Sequence, residues 1–340
     1  MRPMTERDRR RVAGWLLVCA ALVFAMVLVG GVTRLTRSGL SIVEWQPLVG
    51  ALPPLSQADW EALFARYRET PEFRLVNFQM TLEGFKGIFW WEYLHRLLGR
   101  AIGFVFLLPY LWFLLRGRLE RPLAWKLAGI FLLGALQGAM GWIMVQSGLV
   151  DDPKVDPVRL SAHLGIALAI FAAELWLALE LLSPRRPPVE RLARALPFVI
   201  FAMALSGGMV AGLRAGYAYN SFPLMNGHLV PPEVLALEPW WRNFFYNMAT
   251  VQLAHRALFW LLSILIPIVW WRTRDTAAGN ALLAAFVLQA ALGITTLLLG
   301  VPVGFGAAHQ GGAVLLLAAA LWTAHSTRAR PVFSAVHAPA

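Results

Sequence analysis

Four histidines recur at matching places in the two halves of the chain. His95 and His163 lie in the first half, and His255 and His309 lie in the second. Each stands a few residues into a long apolar segment, where a titratable ring is costly and is usually functional. A single such histidine could serve as a proton relay, an ion ligand or a hydrogen-bonded core residue. Two pairs in register instead predict two haem sites, because one imidazole from each of two facing helices forms an axial pair for haem iron.

Arginines accompany the first histidine of each pair. Arg96 follows His95 in EYLHRLLGRAIG, and Arg256 follows its histidine in QLAHRALFWLLS. Arg100 lies one turn below Arg96. A guanidinium group near the membrane surface is a natural bidentate partner for a haem propionate. The alternative is that these side chains extend to the lipid headgroups, which is less favourable for the deeper Arg100.

One acidic residue breaks the symmetry between the halves. Glu92 stands three residues before His95 and therefore on the same helical face. The second half has Val251-Gln252 near the corresponding place and no acid. An acid beside one site predicts that one haem is the substrate and the other a cofactor. The alternative is an interfacial glutamate that caps the helix or pairs with an arginine.

The other histidines and the cysteine carry less information. His228 lies in a loop, and His325 and His337 lie near the C-terminus, so we expect all three to be solvated. Cys19 is the only cysteine, which excludes an intramolecular disulfide, and its place in an apolar segment predicts a packing role.

The composition places these residues in a membrane. Hydrophobic residues make up 58% of the 340-residue chain and charged residues 14%, whereas soluble domains carry roughly a quarter charged residues. Because backbone polar groups must be paired inside lipid, spanning segments with this composition are helices. Eight apolar segments are long enough to span: 13–33, 93–115, 124–147, 158–182, 196–213, 248–271, 278–300 and 304–326.

The basic residues predict the orientation. They cluster at the N-terminus and in alternate loops, so by the positive-inside rule both termini are cytoplasmic. All four histidines then lie towards the external face, which is the periplasmic side of a bacterial inner membrane. The net charge of +11 follows from this topology and from attraction to lipid headgroups, and does not indicate a nucleic acid partner.

The spans are predicted to form two tandem four-helix bundles related as parallel repeats. A double glycine ends the first helix of each unit, at Gly30-Gly31 and Gly207-Gly208, and the third helices match at Gln137…Gly141 and Gln289…Gly293. The predicted fold is therefore an all-α integral membrane protein. Its regions are a cytoplasmic N-terminus (1–12), a first bundle with the substrate site (13–182), a linker (183–195), a second bundle (196–326) and a disordered tail (327–340).

The external loop of the first unit, 34–92, is predicted to contain a short amphipathic helix. Ser56-Gln57-Ala58-Asp59 resembles a capping box. Trp60, Leu63, Phe64 and Tyr67 then follow at helical spacing, which predicts a helix lying on the outer membrane surface. A second short helix is expected from Phe73.

Several long phrases, in loops as well as in helices, resemble one family. They are GGVTRLTRSGLSIVEWQPLVGALPP (30–54), FKGIFWWEYLHRLLGR (85–100), AGLRAGYAYNSFPLMNG (211–227), QLAHR (252–256) and GAAHQGGA (306–313). With these phrases the chain resembles haem A synthase, of the proteobacterial and mitochondrial type. The other type of this family carries cysteine pairs in its external loops, which this chain lacks.

The resemblance implies an oxidoreductase that converts the C8 methyl of haem O to a formyl group by successive hydroxylations, giving haem A for cytochrome oxidase. It implies that His95 and His163 hold the substrate haem, and that His255 and His309 hold haem B as cofactor. Glu92 matches the glutamate that this family requires, and would accept a proton or position water. Haem O synthase is implied as the partner that delivers the substrate. The sequence leaves open the electron donor or acceptor and a homo-oligomer.

Two other functions use the same residues. A dihaem b-type cytochrome would carry electrons across the membrane without substrate chemistry, but it needs haems in both leaflets, whereas all four histidines are expected in one. A haem exporter would use the two repeats for alternating access and needs only one central site.

Overall fold

The computed structural model describes residues 4–44, 50, 52–149, 153–183 and 191–326. The tail from 327, most of the predicted linker and His337 lie outside these residues. Helices dominate, and the described residues form no strand apart from an isolated bridge between Met225 and His228. The α-helices are α1 (Glu6–Leu35), α2 (Gln57–Arg68), α3 (Pro71–Leu75), α4 (Leu82–Leu115), α5 (Arg121–Gly148), α6 (Pro157–Leu182), α7 (Arg191–Leu213), α8 (Ala215–Ala218), α9 (Asn243–Tyr246), α10 (Met248–Thr273), α11 (Ala277–Leu298) and α12 (Val303–Ser326).

Within the described ranges, eight helices are long and apolar enough to cross a membrane: α1, α4, α5, α6, α7, α10, α11 and α12. The prediction of eight spanning helices is confirmed. Side chains at the helix starts explain several of the boundaries. Thr5, Thr81, Asp156, Asn247 and Thr276 each accept a hydrogen bond from a backbone N–H in the first turn of the following helix, which satisfies a group that the helix itself leaves unpaired.

Helix α4 begins eleven residues before the predicted span. The sequence between Leu82 and Trp91 contains charged residues and glycines, which hide this part of the helix from a hydropathy window. The extension is stabilised by packing instead. As a result His95 follows the first residue of α4 by thirteen positions, and the expectation that it lies a few residues from its helix start is wrong for this histidine.

The first part of α4 is covered by the segment that joins α1 to α4. The capping box at Ser56 and Asp59 is confirmed, and α2 follows it. The apolar face of α2 is buried by protein: the ring of Trp60 lies 4.9 Å from that of Phe89, and the ring of Tyr67 lies 5.1 Å from that of Phe85. This aromatic cluster fixes the loop above the helix that carries Glu92 and His95.

Helices α1, α6, α7 and α12 form the centre of the bundle, and the other four long helices lie around them. Small residues allow the central backbones to approach closely. A Cβ atom at Gly208 would lie 3.2 Å from Ser161 Cα, and one at Gly212 would lie 2.7 Å from Pro157 Cα. The contact between α6 and α7 joins the first four long helices to the last four.

Replacing Gly212 with alanine should destabilise this contact. The new methyl group would meet backbone and ring atoms of Pro157, which cannot rotate away, so we expect a loss of about 1–3 kcal/mol and a lower Tm in detergent. Gly134→Ala on α5 is the control, because a Cβ there meets nothing within 4 Å. An unchanged Tm for Gly212→Ala would contradict the described packing of α6 on α7.

Candidate functional site

Each of the four histidine rings packs against a glycine on a neighbouring long helix. A Cβ atom at Gly30 would lie 3.2 Å from His95 Nε2, and one at Gly141 would lie 3.1 Å from His163 Cε1. Glycine therefore lets the ring lie directly on the backbone of the next helix, where any larger residue would displace it.

The second half repeats these contacts at the matching residues. A Cβ atom at Gly207 would lie 3.2 Å from His255 Cε1, and one at Gly293 would lie 2.7 Å from His309 Cε1. The glycines that the sequence singled out in the first and third helices of each unit are thus the residues on which the histidine rings rest.

The structure brings the histidines together as two pairs. His95 and His163 are close enough to interact electrostatically, and so are His255 and His309. Within the described residues no group of three or more His, Cys, Asp or Glu side chains could hold a metal ion. Two imidazoles on facing helices are the ligand set of a bis-histidine haem, whose porphyrin supplies the remaining ligands of the iron.

Hydrogen bonds define the tautomer of His255. Ser206 Oγ donates to the carbonyl of Met203 at 2.7 Å and lies 2.8 Å from His255 Nδ1. Because the hydroxyl hydrogen is used by Met203, the imidazole donates its Nδ1 hydrogen to the serine oxygen. The lone pair is then on Nε2, the form in which a histidine binds a metal.

In the first half, a glutamine side chain on α5 contacts the ring of His163 on α6. The Gln137 side-chain amide donates to His163 Nε2 at 3.2 Å, so this nitrogen carries the lone pair of the ring and uses it to accept that hydrogen bond. The Oε1 atoms of Gln137 and of the matching Gln289 are buried and accept no hydrogen bond from the described residues.

A cavity surrounds the second pair. It is lined by residues of α1, α6, α7, α10, α11 and α12 together with α8, and its walls are mainly apolar. Its polar groups include His255 and His309, the amides of Gln252 and Gln289, and the guanidinium groups of Arg34 and Arg214. An apolar slot between helices with a few converging polar groups is typical of a cofactor site.

Glu92 is buried, with 2% of its surface exposed, and both of its carboxylate oxygens are engaged. Oε2 accepts hydrogen bonds from Ser41 Oγ at 2.7 Å and from the Ile42 N–H at 2.9 Å. Oε1 forms an ion pair with Arg96, at 3.0 Å from Nε and 2.5 Å from Nη2. The carboxylate is thus held between its own helix and the chain that leaves α1.

Gln252 stands at the matching place in the second half, three residues before His255. Its amide donates to the carbonyl of Tyr219 at 2.8 Å. The two halves therefore present a carboxylate and a neutral amide at equivalent positions, and only the carboxylate can take up a proton.

Arg96 and Arg256 lie beside the sites but are engaged by backbone carbonyls. Besides its ion pair, Arg96 donates to the carbonyls of Ile42 and Glu44. Arg256 donates to four carbonyls of the segment between α7 and α10, those of Tyr219, Ser221, Pro223 and Leu224. Both arginines hold the chain segment that follows the first long helix of their half. Arg100 is partly buried one turn below Arg96 and interacts electrostatically with it and with Tyr93.

Three further arginines gather where α1 and α7 end. Arg34, Arg37 and Arg214 are close enough to repel one another. Arg37 and Arg214 both have a positive φ, of 55° and 56°. The sequence carried a signal for them that our interpretation missed: Arg37-Ser38-Gly39 and Arg214-Ala215-Gly216 both begin seven residues after the first glycine of a double glycine.

Glu72 is a further residue that the sequence analysis missed. It lies on α3, with 4% of its surface exposed, and accepts a hydrogen bond from Tyr67 Oη at 3.3 Å. Burial raises the pKa of this carboxyl to about 7, while the guanidinium groups of Arg37 and Arg214 act in the opposite direction. Helix α3 is only five residues long, so the sequence around Glu72 shows no periodicity from which its burial could be inferred.

One prediction about the remaining histidines is wrong. His325 is 4% exposed, and its ring packs edge-on against Trp176 at 5.5 Å, because α12 continues to Ser326 in the centre of the bundle. His228 is exposed, as predicted. Cys19 is buried within α1, as expected for a packing residue.

Comparison with known proteins gives a consistent result. A family model described as "COX15-CtaA: Cytochrome oxidase assembly protein" matches residues 13–321. The chain is similar to a protein of Nitrosospira multiformis named "Heme A synthase", with 58% identity over 94% of each chain. It is similar to proteins of the same name from Nitrosomonas eutropha, with 55% identity over 92% of each chain, and from Rhodospirillum centenum, with 50% identity over 94% of this chain and 89% of the other.

The raised pKa of Glu72 predicts how stability changes with pH. An unfolded glutamate loses its proton near pH 4.5 and the folded one near pH 7, so the native state loses stability as the pH rises through this window, by roughly 1–3 kcal/mol. Glu72→Gln should therefore raise the Tm at pH 8 and leave it nearly unchanged at pH 4.5. Exposed Glu69→Gln is the control, and an equal shift of Tm at both pH values would contradict the prediction.

Proposed function

Because the chain belongs to the COX15-CtaA family of cytochrome oxidase assembly proteins, we propose that it converts haem O to haem A. The observation that carries the proposal is the pair of bis-histidine sites with a carboxylate beside only one of them. Two haems of different roles need this combination of repetition and asymmetry. Oxidation of the C8 methyl of haem O to a formyl group is the activity that the family resemblance implies.

We also propose that the chain is a tandem duplication of a four-helix unit. The matching contacts of His95 and His255 with glycine support this, as do the bonds from Arg96 to the carbonyl of Ile42 and from Arg256 to that of Tyr219. The proposed units are 13–182, with external loop 34–92, and 196–326. They are joined by the cytoplasmic linker 183–195 and flanked by cytoplasmic termini, 1–12 and 327–340.

The proposed location is a bacterial inner membrane, with the histidines towards the periplasm. The basic residues that flank the helices at the opposite end of the bundle support this orientation. All four histidines lie near the end where α1, α5, α7 and α11 terminate and where α6, α10 and α12 begin. A carrier of electrons across the membrane would need sites at both ends, so this placement favours the synthase.

The substrate site is proposed in the first half. His95 and His163 would bind the iron of haem O, and each ring would be held against its glycine at a fixed height in the bundle. To bind iron through Nε2, His163 would have to give up the hydrogen bond that it accepts there from Gln137. Glu92 lies one helical turn from His95, towards the external loop.

The second half is proposed to hold haem B between His255 and His309. The donors fit this cofactor, because Ser206 leaves the Nε2 lone pair of His255 available and the surrounding cavity is largely apolar. When bound there, haem B would supply one-electron redox chemistry. The protein would supply the axial ligands, the orientation and the exclusion of water.

Glu92 is the proposed catalytic residue of the first site. Its carboxylate would accept a proton released during oxidation of the substrate methyl or would orient the water beside it. Ser41, Ile42 and Arg96 fix both oxygens, so the group is preorganised rather than mobile. Gln252 has no acid–base function at neutral pH, which explains why the same chemistry is not expected in the second half.

Removing the carboxylate should stop haem A formation while haem stays bound. For Glu92→Gln we expect at least about a 100-fold loss of product, measured by chromatography of haems extracted from cells supplied with haem O. Glu92→Ala should lose the activity as well, and Glu83→Gln on the exposed outer turn of α4 is the control. Normal haem A formation by either Glu92 variant, with haem bound, would exclude the catalytic role.

Alanine variants of the histidines should remove one haem each. His95→Ala should abolish retention of haem O and haem A, and His255→Ala should abolish retention of haem B, because each leaves one axial ligand. Pyridine haemochrome spectra and chromatography of the purified protein separate the two losses. Exposed His228→Ala should keep both haems. Loss of the same haem in both histidine variants would refute the division of the sites.

A further inference from the structure

Three arginines line the cavity around His255 and His309, and none of them forms an ion pair with the described residues. Arg256 is engaged by loop carbonyls through both Nη atoms, which leaves two guanidinium groups to consider. Arg34, near the end of α1, and Arg214, directly after α7, both line it. The two side chains are close enough to repel each other. Since like charges in a partly buried site are unfavourable, their placement indicates an anion that binds between or beside them.

Neither guanidinium group has its hydrogen-bonding capacity met by protein. Arg34 donates from Nη2 to the carbonyl of Ala211. The Arg214 side chain makes no hydrogen bond or ion pair with the described residues. A guanidinium group carries five N–H donors, so most of the donors of this pair remain available to a ligand in the cavity.

The nearest acid does not neutralise the cluster fully. Glu72 interacts with Arg214 and Arg37, but its burial raises the pKa to about 7, so a large fraction of this carboxyl is protonated at neutral pH. Arg37 belongs to the same cluster but is exposed and does not line the cavity. The cavity therefore faces a surplus of positive charge at the end where α1 and α7 terminate.

The spacing between Arg214 and the glycine that contacts His255 is of the same order as the reach of a haem propionate from the iron. Gly207 contacts the ring of His255, and Arg214 follows it by seven residues, or about 10 Å along the chain at 1.5 Å per residue. A porphyrin whose iron lies between the two histidines extends its two propionates over a distance of this order. Two carboxylates meeting two guanidinium groups would match in charge.

We propose that Arg34 and Arg214 bind the two propionates of the haem held by His255 and His309. This assignment rests on the proposed function and replaces the sequence-based expectation for Arg256, whose Nη atoms already donate to four loop carbonyls. Arg34 comes from the first half of the chain, so the cofactor site of the second half is completed by the first. Haem binding would then also stabilise the contact between the halves.

The test uses the full-length chain in lipid nanodiscs, produced under haem limitation and titrated with protohaem and with protohaem dimethyl ester. The wild type should bind protohaem at least about tenfold more tightly than the ester, the preference expected from one charge-assisted hydrogen bond. Arg34→Gln and Arg214→Gln should each reduce this preference, and the double variant should abolish it. Arg37→Gln, which removes a charge of the same cluster outside the cavity, should keep it.

The midpoint potential of the bound haem gives a second measurement. Loss of a nearby positive charge disfavours the reduced, less positive haem, so the potential should fall in Arg34→Gln and Arg214→Gln while the low-spin bis-histidine spectrum persists. Equal weakening of protohaem and ester in the double variant would show a structural role and overturn the proposal. Loss of the preference in Arg37→Gln would overturn it as well.

Different results would contradict the haem site and the propionate assignment. If protohaem does not bind, or if His255→Ala keeps the low-spin spectrum, the proposed haem site of the second half is wrong. If His255→Ala loses that spectrum but the arginine variants keep the preference for protohaem over the ester, only the propionate assignment is wrong.

Discussion

The contact between a histidine ring and a glycine is the constraint on which the rest of the structure depends. A ring can approach the backbone of a neighbouring helix this closely only where that helix has no side chain, and all four rings do so. The double glycines extend the constraint. Gly30 and Gly207 face the histidines of their own half, whereas Gly31 faces Gln310 and Gly208 faces Ser161 across to the other half. In each double glycine, therefore, the first glycine fixes the position of a histidine ring along the bundle, and the second fixes the distance between the halves.

The two halves have similar backbone contacts at Glu92 and Gln252, but these two side chains differ in charge. Glu92 and Gln252 both tie their helix to the segment that follows the first long helix, but with opposite hydrogen-bond polarity. The carboxylate accepts from the Ile42 N–H, and the amide donates to the carbonyl of Tyr219. A carboxylate that is buried and ionised is unfavourable unless it is paired, and Arg96 pairs with Glu92. Arg256, without an acid to pair with, gives all its bonds to the loop. One substitution between similar side chains thus changes a charged site into a neutral one while the backbone arrangement is kept.

The sequence predicted features that follow from periodicity and repetition. Eight spans, the capping box at Ser56 and the grouping of four histidines could be inferred because each is a pattern over several residues. The first part of α4 could not, since its stability comes from aromatic contacts with α2 and not from its own hydropathy. His325 was placed wrongly for a related reason: its surroundings depend on α12 lying at the centre of the bundle, which a single helix does not reveal.

Spacing in the sequence does not predict which groups the arginine side chains contact. Arg96 and Arg256 stand next to the histidines in sequence, yet their guanidinium groups point to loop carbonyls that no local pattern locates. Arg34 and Arg214 are distant from the second histidine pair in sequence, and tertiary packing brings both to its cavity. A buried cation is tolerated when its charge is matched, and backbone carbonyls meet this need for Arg256. For Arg34 and Arg214 the protein leaves the charge largely unmatched. Both Nη atoms of Arg256 are engaged by loop carbonyls, whereas most donors of Arg34 and Arg214 make no hydrogen bond with the described residues, and this difference is why we propose a ligand for the second pair only.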